Sequence, residues 1–146
     1  MLYLDSSAIV KLVIREPETD DLQRSVRADP SLVSSSLAWV EVVRGVRRAG
    51  GRLARAREVL ERVALVPVDD GIVREAADLK PAGLRALDAI HLATALSLAD
   101  DIERLITYDA RLAEAAVVAG VLVGAPGAGP SSNSNPRGVA GSDPSR

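Results

Sequence analysis

An α/β fold with a mainly parallel sheet is the class this sequence predicts, and three observations predict it. Short apolar runs alternate with longer segments of helical pattern over the first 124 residues. Serine and aspartate sit at several joints between them, where helices need caps. In a chain of 146 residues, 47% apolar, there is enough hydrophobic material for one buried core. A βαβα rhythm of this kind places helices on both faces of a parallel sheet.

Taken in order, "LYL" (2–4) is the first strand candidate. It runs through Asp5-Ser6-Ser7 into a helix, "AIVKLVI", with Ser6 or Ser7 as the expected cap. A polar helix follows Pro17 over 18–28, then a strand "LVSSS" (32–36). Helices over 37–49 and 52–64 are separated by Gly50-Gly51, read as a turn. "LVPV" (65–68) is a strand and "GIVREAADLK" (71–80) a helix. "ALDAIHLATALSLA" (86–99) is a helix of almost wholly apolar or small residues. "RLITY" (104–108) is a strand, "ARLAEAAVVAG" (110–120) a helix and "VLVG" (121–124) a final strand. The domain is expected to occupy residues 1–125. Residues 126–146, rich in Gly, Pro and Ser and without apolar periodicity, are expected to form a flexible tail whose removal leaves stability unchanged.

Composition excludes several function classes. The chain has no cysteine, hence no disulfide, thiolate metal site or thiol nucleophile. Its longest apolar runs fall short of the roughly 18–20 residues of a membrane span, and no signal peptide is visible, so a cytoplasmic protein is expected. Three aromatic residues (Tyr3, Trp39, Tyr108) are too few for a base-stacking platform. The net charge of -2 conceals a basic cluster, with Arg44, Arg47, Arg48, Arg52, Arg55 and Arg57 all inside "RGVRRAGGRLARAR". It reads either as a phosphate-binding surface or as a solvated helix pair. There is no Walker-type or GxGxxG loop.

Polar residues at strand ends carry the functional signal, because sites in open parallel sheets form there. Asp5 ends the first strand, Glu41 lies early in the helix after "LVSSS", Asp88 lies near the start of the apolar helix, and Asp109 follows "LITY". Singly, Asp5 and Asp109 read as helix caps and Glu41 as a solvated side chain. Asp88 is the least comfortable as structure, since helical spacing puts it on a face with Leu84, Leu92 and Ala95. Converged carboxylates repel by roughly 4 kcal/mol per pair at 4 Å, so they must protonate or share a cation. An oxygen-only set suits Mg²⁺ or Mn²⁺, and such an ion would compensate Asp88. His91 reads more readily as a hydrogen-bonded core residue than as a general base.

"YLDSSAIVKLVIREPET", "SLAWVEVVRG", "ALDAIHLATAL" and "LITYDARLAEAA", in this order and spacing, resemble the PIN-domain family and, more closely, VapC toxins of toxin–antitoxin pairs. The resemblance covers residues 1 to about 125. It implies a three-layer α/β/α fold with four to five strands and a Mg²⁺- or Mn²⁺-dependent endoribonuclease. It implies Asp5, Glu41, Asp88 and Asp109 as the acidic cluster, with Ser6 and Thr107 as polar residues that order the site. It further implies a homodimer and a cognate VapB-type antitoxin. Metal-activated water would attack in line, leaving a 5′-phosphate and a 3′-hydroxyl. Arg44, Arg47, Arg48 and Arg52 are the candidate contacts to RNA phosphates. A nuclease of the same site type acting on DNA, and a non-catalytic protein-binding module, remain open from the residues alone.

Overall fold

A computed structural model describes residues 1–129. The expected tail is therefore described only at 126–129, and its remainder, 130–146, lies outside the described residues. The elements follow the expected rhythm: β1 (Leu2–Leu4), α1 (Ser6–Val13), α2 (Thr19–Ala28), β2 (Leu32–Ser35), α3 (Leu37–Arg48), α4 (Leu53–Leu60), β3 (Ala64–Val66), α5 (Asp70–Asp78), α6 (Ala86–Leu96), β4 (Arg104–Ile106), α7 (Ala110–Val118) and β5 (Val123–Gly124). The sheet has five strands in the order β3-β2-β1-β4-β5, every pairing parallel.

Burial explains why the strand runs are apolar rather than alternating. Leu2, Tyr3 and Leu4 are all buried, because helices cover both faces of the sheet. Leu2 and Leu4 join Ile9, Leu22, Val42, Val46 and Leu60 in one core, beneath α1–α4. Tyr3 points the other way and joins Leu92, Leu105, Leu112 and Ala115 beneath α6 and α7. A smaller cluster around Ile72, Ala76, Ala89 and Ala93 seats α5 on α6. The layers are thus helix, sheet, helix.

The Gly50-Gly51 turn does what its sequence implies. Gly50 has φ +69°, and the N–H groups of Gly50 and Gly51 close the end of α3 on the carbonyls of Arg47 and Val46. No atom lies within 4 Å of where a Cβ on Gly50 would sit, so alanine there meets a backbone penalty alone. Gly50→Ala should cost roughly 1 kcal/mol in a chemical unfolding curve. A neutral result would mean the turn relaxes out of the left-handed region.

The first residues past β5 lie against the domain. The Tyr108 hydroxyl donates to the Pro126 carbonyl at 2.7 Å, and a Cβ on Gly127 would meet the Asp21 carboxylate at 2.7 Å. Residues 126 and 127 thus pack beside α2.

The strand order locates the site. From β1 the chain steps outward to β2 and β3, then crosses back to add β4 and β5 on the other side. The carboxyl ends of β1 and β4 therefore flank the switch point, where the loops diverge and leave a crevice. The register pairs Leu4 with Ile106, so the next residues, Asp5 and Thr107, emerge side by side.

Candidate active site

Asp5 is held from three directions. Its Oδ1 accepts the Ser7 hydroxyl at 2.6 Å and the Ala8 N–H at 2.9 Å, while Oδ2 accepts the Thr107 hydroxyl at 2.6 Å. It is 4% exposed. Burial pushes its pKa up, against the pull of the Ser7, Thr107 and Ala8 donors. Asp5, not Ser6 or Ser7, is the N-cap of α1. With its carboxylate on the Ala8 N–H, both serines fall inside the first turn and turn to other partners. Ser7 also accepts the Tyr108 N–H at 3.0 Å, while Ser6 donates to Glu41.

Glu41 projects from α3 toward α1. Its Oε2 accepts from Ser6 and from His91 Nε2, the latter at 2.7 Å. Burial would raise its pKa, but the His91 and Ser6 hydrogen bonds and nearby positive charge outweigh burial and hold it below the usual carboxylate range. His91 is buried, as expected of a core residue, yet its outward nitrogen is spent on this carboxylate.

Asp88 and Asp109 share one cation. Arg85 donates from Nε to Asp88 Oδ2 at 2.8 Å and from Nη2 to Asp109 Oδ2 at 2.7 Å. The other oxygen of Asp109 caps α7 on the N–H groups of Arg111 and Leu112, and the Asp109 N–H donates to the Thr107 hydroxyl. Asp88 does not lie deep in the core. Helix α6 begins at Ala86, so Asp88 stands in the first turn, at the rim, while Leu92 and Ala95 farther along are buried. In this structure the group that compensates it is Arg85.

Thr107 thus ties Asp5 to Asp109, and Ser6 ties α1 to Glu41, which is how these two polar residues order the edge. Arg85, Tyr3 and Ser7 went unread in the sequence as parts of the site. The one available signal for Arg85 was its position three residues before Asp88, where a helical turn brings opposite charges together.

Among the described residues, no three acidic or histidine side chains are drawn together closely enough to hold a metal ion as they stand. The chemistry of the donor set nevertheless fits a hard cation. All four acids offer oxygen alone, and two of them already converge on a single positive charge. Asp5 and Asp109 cap α1 and α7, and Asp88 stands in the first turn of α6, so three positive helix ends help to hold the acids at this edge.

The basic cluster lies on α3 and α4. All six arginines are exposed, and only Arg55 has an ion pair among the described residues, with Glu58 at 3.2 Å. Arg44 and Arg48, three and seven residues after Glu41 on α3, continue the Glu41 face of the helix. Arg47 lies well round from that face, while Arg52, Arg55 and Arg57 belong to the start and body of α4.

Comparison with known proteins gives a consistent result. The PIN domain family matches residues 2–118. Ribonuclease VapC46 of Mycobacterium tuberculosis is 48% identical over 126 residues, which is 86% of this chain and 97% of that protein. The structure of Mycobacterium tuberculosis VapC20, described as a sarcin-ricin loop cleaving toxin, superposes with a TM-score of 0.64 at 16% identity, covering 84% of this chain and 97% of that one. A toxin–antitoxin complex from Klebsiella pneumoniae superposes with a TM-score of 0.63 at 22% identity, covering 77% and 90%.

Proposed function

Because the chain belongs to the PIN-domain family and, within it, to the VapC ribonucleases, we propose that it is a Mg²⁺- or Mn²⁺-dependent endoribonuclease. In this reading it is the toxin of a toxin–antitoxin pair, acts on single-stranded regions of RNA, and is a homodimer restrained by a VapB-type antitoxin. The observation that carries the reading is the gathering of Asp5, Glu41, Asp88 and Asp109 at the switch point of the sheet. The ribonuclease name of a relative with 48% identity over most of both chains supports RNA as substrate. Likeness to a toxin–antitoxin complex supports the antitoxin. No helix among the described residues is long and apolar enough to cross a membrane.

Asp5, Glu41, Asp88 and Asp109 would hold the ion. Once bound, a divalent cation supplies a Lewis acid that activates water and offsets charge on the scissile phosphate. The protein's own part is orientation. Thr107 and Ser7 fix Asp5, Ser6 and His91 fix Glu41, and the N-terminus of α7 fixes Asp109. Arg85, now paired with Asp88 and Asp109, would have its guanidinium released for a substrate phosphate if those carboxylates took up the ion.

The test is cleavage of a single-stranded RNA. Products carrying 5′-phosphate should appear with Mg²⁺ or Mn²⁺, and Glu41→Gln should lower the rate at least about 10²-fold. Undiminished cleavage in excess EDTA would sink the metal mechanism. Substrate binding makes a separate prediction. In an inactive Asp5→Asn background, changing Arg44 and Arg48 to Gln should weaken RNA binding and flatten its logarithmic salt dependence by roughly 1.4. An unchanged slope would move the RNA path off this face of α3.

A further inference from the structure

A chain of buried hydrogen bonds ends on Glu41. It begins at β2, where the Ser35 N–H donates to the Tyr3 hydroxyl at 3.1 Å. Tyr3, fully buried on β1, lies 2.9 Å from His91 Nδ1, and the two rings meet edge to face, 6.0 Å apart at 86°. His91 Nε2 then lies 2.7 Å from Glu41 Oε2.

The proton positions follow from what each group can do. An ionised carboxylate only accepts, so His91 Nε2 must carry the proton of that contact. A neutral imidazole has a single N–H, which leaves Nδ1 bare, and the Tyr3 O–H fills it. The Tyr3 oxygen keeps a lone pair for the Ser35 N–H. The chain thus runs in one direction, backbone to tyrosine to imidazole to carboxylate. Both donors to Glu41, Ser6 and His91, grip the same oxygen, Oε2. Among the described residues Oε1 has no hydrogen bond. A histidine serving the core alone would have no need to point its outward nitrogen at a half-exposed acid.

We propose that His91, locked in its Nε2–H form by Tyr3, is a positioning residue of the nuclease site, clamping Glu41 through Oε2 so that Oε1 is left for the divalent ion. The inference rests on the reading of Glu41 as an ion ligand. Partners of this kind that orient a metal-binding side chain change metal affinity by about 10–100-fold when removed.

His91 is the single histidine of the chain, so one ¹⁵N-labelled imidazole reports its own state without assignment. Long-range ¹H–¹⁵N spectra of the metal-free full chain at pH 7.5 should show protonated Nε2 and bare Nδ1. Mn²⁺ affinity, measured by calorimetry with melts as a folding control, should fall about tenfold in His91→Asn, which has no donor at the ε position. His91→Gln, which retains one, should stay within about threefold of the unmodified chain. Tyr3→Phe should fall between them and shift the Nδ1 signal. An Nδ1–H form overturns the proposal, as does equal affinity in all variants, or a Gln variant no better than Asn, which assigns His91 to packing. If the unmodified chain shows the expected imidazole but binds no Mn²⁺, Glu41 as ion ligand has failed and the clamp loses its purpose. Should His91→Asn not fold, the Gln and Phe variants decide alone.

Discussion

Asp5→Asn should reduce RNA cleavage by at least about 10³-fold while leaving the metal-free protein as stable as before, or more so. Removing a buried polar partner normally destabilises. Here the side chain removed is a buried carboxylate with three hydrogen-bond donors and, among the described residues, no cation in contact. Its raised pKa means that burial of the charge outweighs those donors. Asparagine keeps an oxygen for Ser7 and Ala8 and discards the charge. Each kcal/mol relieved would raise the melting temperature by about 3–5 °C. The sign in pH follows the same logic. A group whose folded pKa is raised contributes stability that is complete below its unfolded pKa and is lost as pH rises through the folded one. In EDTA, the Asp5→Asn advantage should therefore grow from mildly acid pH toward neutrality. A variant that melts well below the parent would show that the Thr107 bond outweighs the buried charge.

Divalent metal should raise the melting temperature, and Arg85→Gln should enlarge the rise. Ligand at one hundred times its dissociation constant stabilises by about 2.7 kcal/mol, or roughly 10 °C for a domain of this size. Asp5→Asn should abolish most of that shift. Arg85 is the competitor: its guanidinium occupies both Asp88 and Asp109. Its side chain is 58% exposed, so the ion pairs themselves stabilise little. Without it, two carboxylates face each other uncompensated, which lowers the metal-free melting point slightly and tightens Mn²⁺ binding. An Arg85→Gln protein with weaker metal binding would make the arginine a supporter of the site rather than its rival.

The layers of the fold were legible because parallel strands buried on both faces write themselves as unbroken apolar runs. "LYL" is such a run, and in β4 the buried Leu105 and Ile106 make a shorter one after the exposed Arg104. That Asp5 and Asp109 stand just past β1 and β4 was legible, because the carboxyl ends of strands are where such a fold gathers polar residues. What escaped depended on distances across the chain. Asp5, Ser6 and Ser7 all read as possible caps in one dimension, and the structure gives the role to Asp5, whose Oδ1 accepts the Ala8 N–H while Oδ2 meets Thr107. Asp88 looked like a core residue because helical spacing puts it on a face with Leu84, Leu92 and Ala95. Helix α6 starts at Ala86, as the sequence implies, so the carboxylate stands in the first turn, at the rim and within reach of Arg85. The link from His91 to Tyr3, 88 residues apart, leaves no local trace in either segment.

The central position of β1 also bears on when the candidate site can form during synthesis. β1 is the first strand made, yet one of its two neighbours is β4, and the Asp5–Thr107 bond spans 102 positions. At about 5–20 residues per second, roughly 5–20 s separate the two ends of that bond on the ribosome. Until β4 has emerged, Asp5 lacks its partner, Asp109 does not exist at the edge, and no nuclease can be assembled from the nascent chain. The messenger is thus read almost to the end of the domain before the two sides of the site can meet.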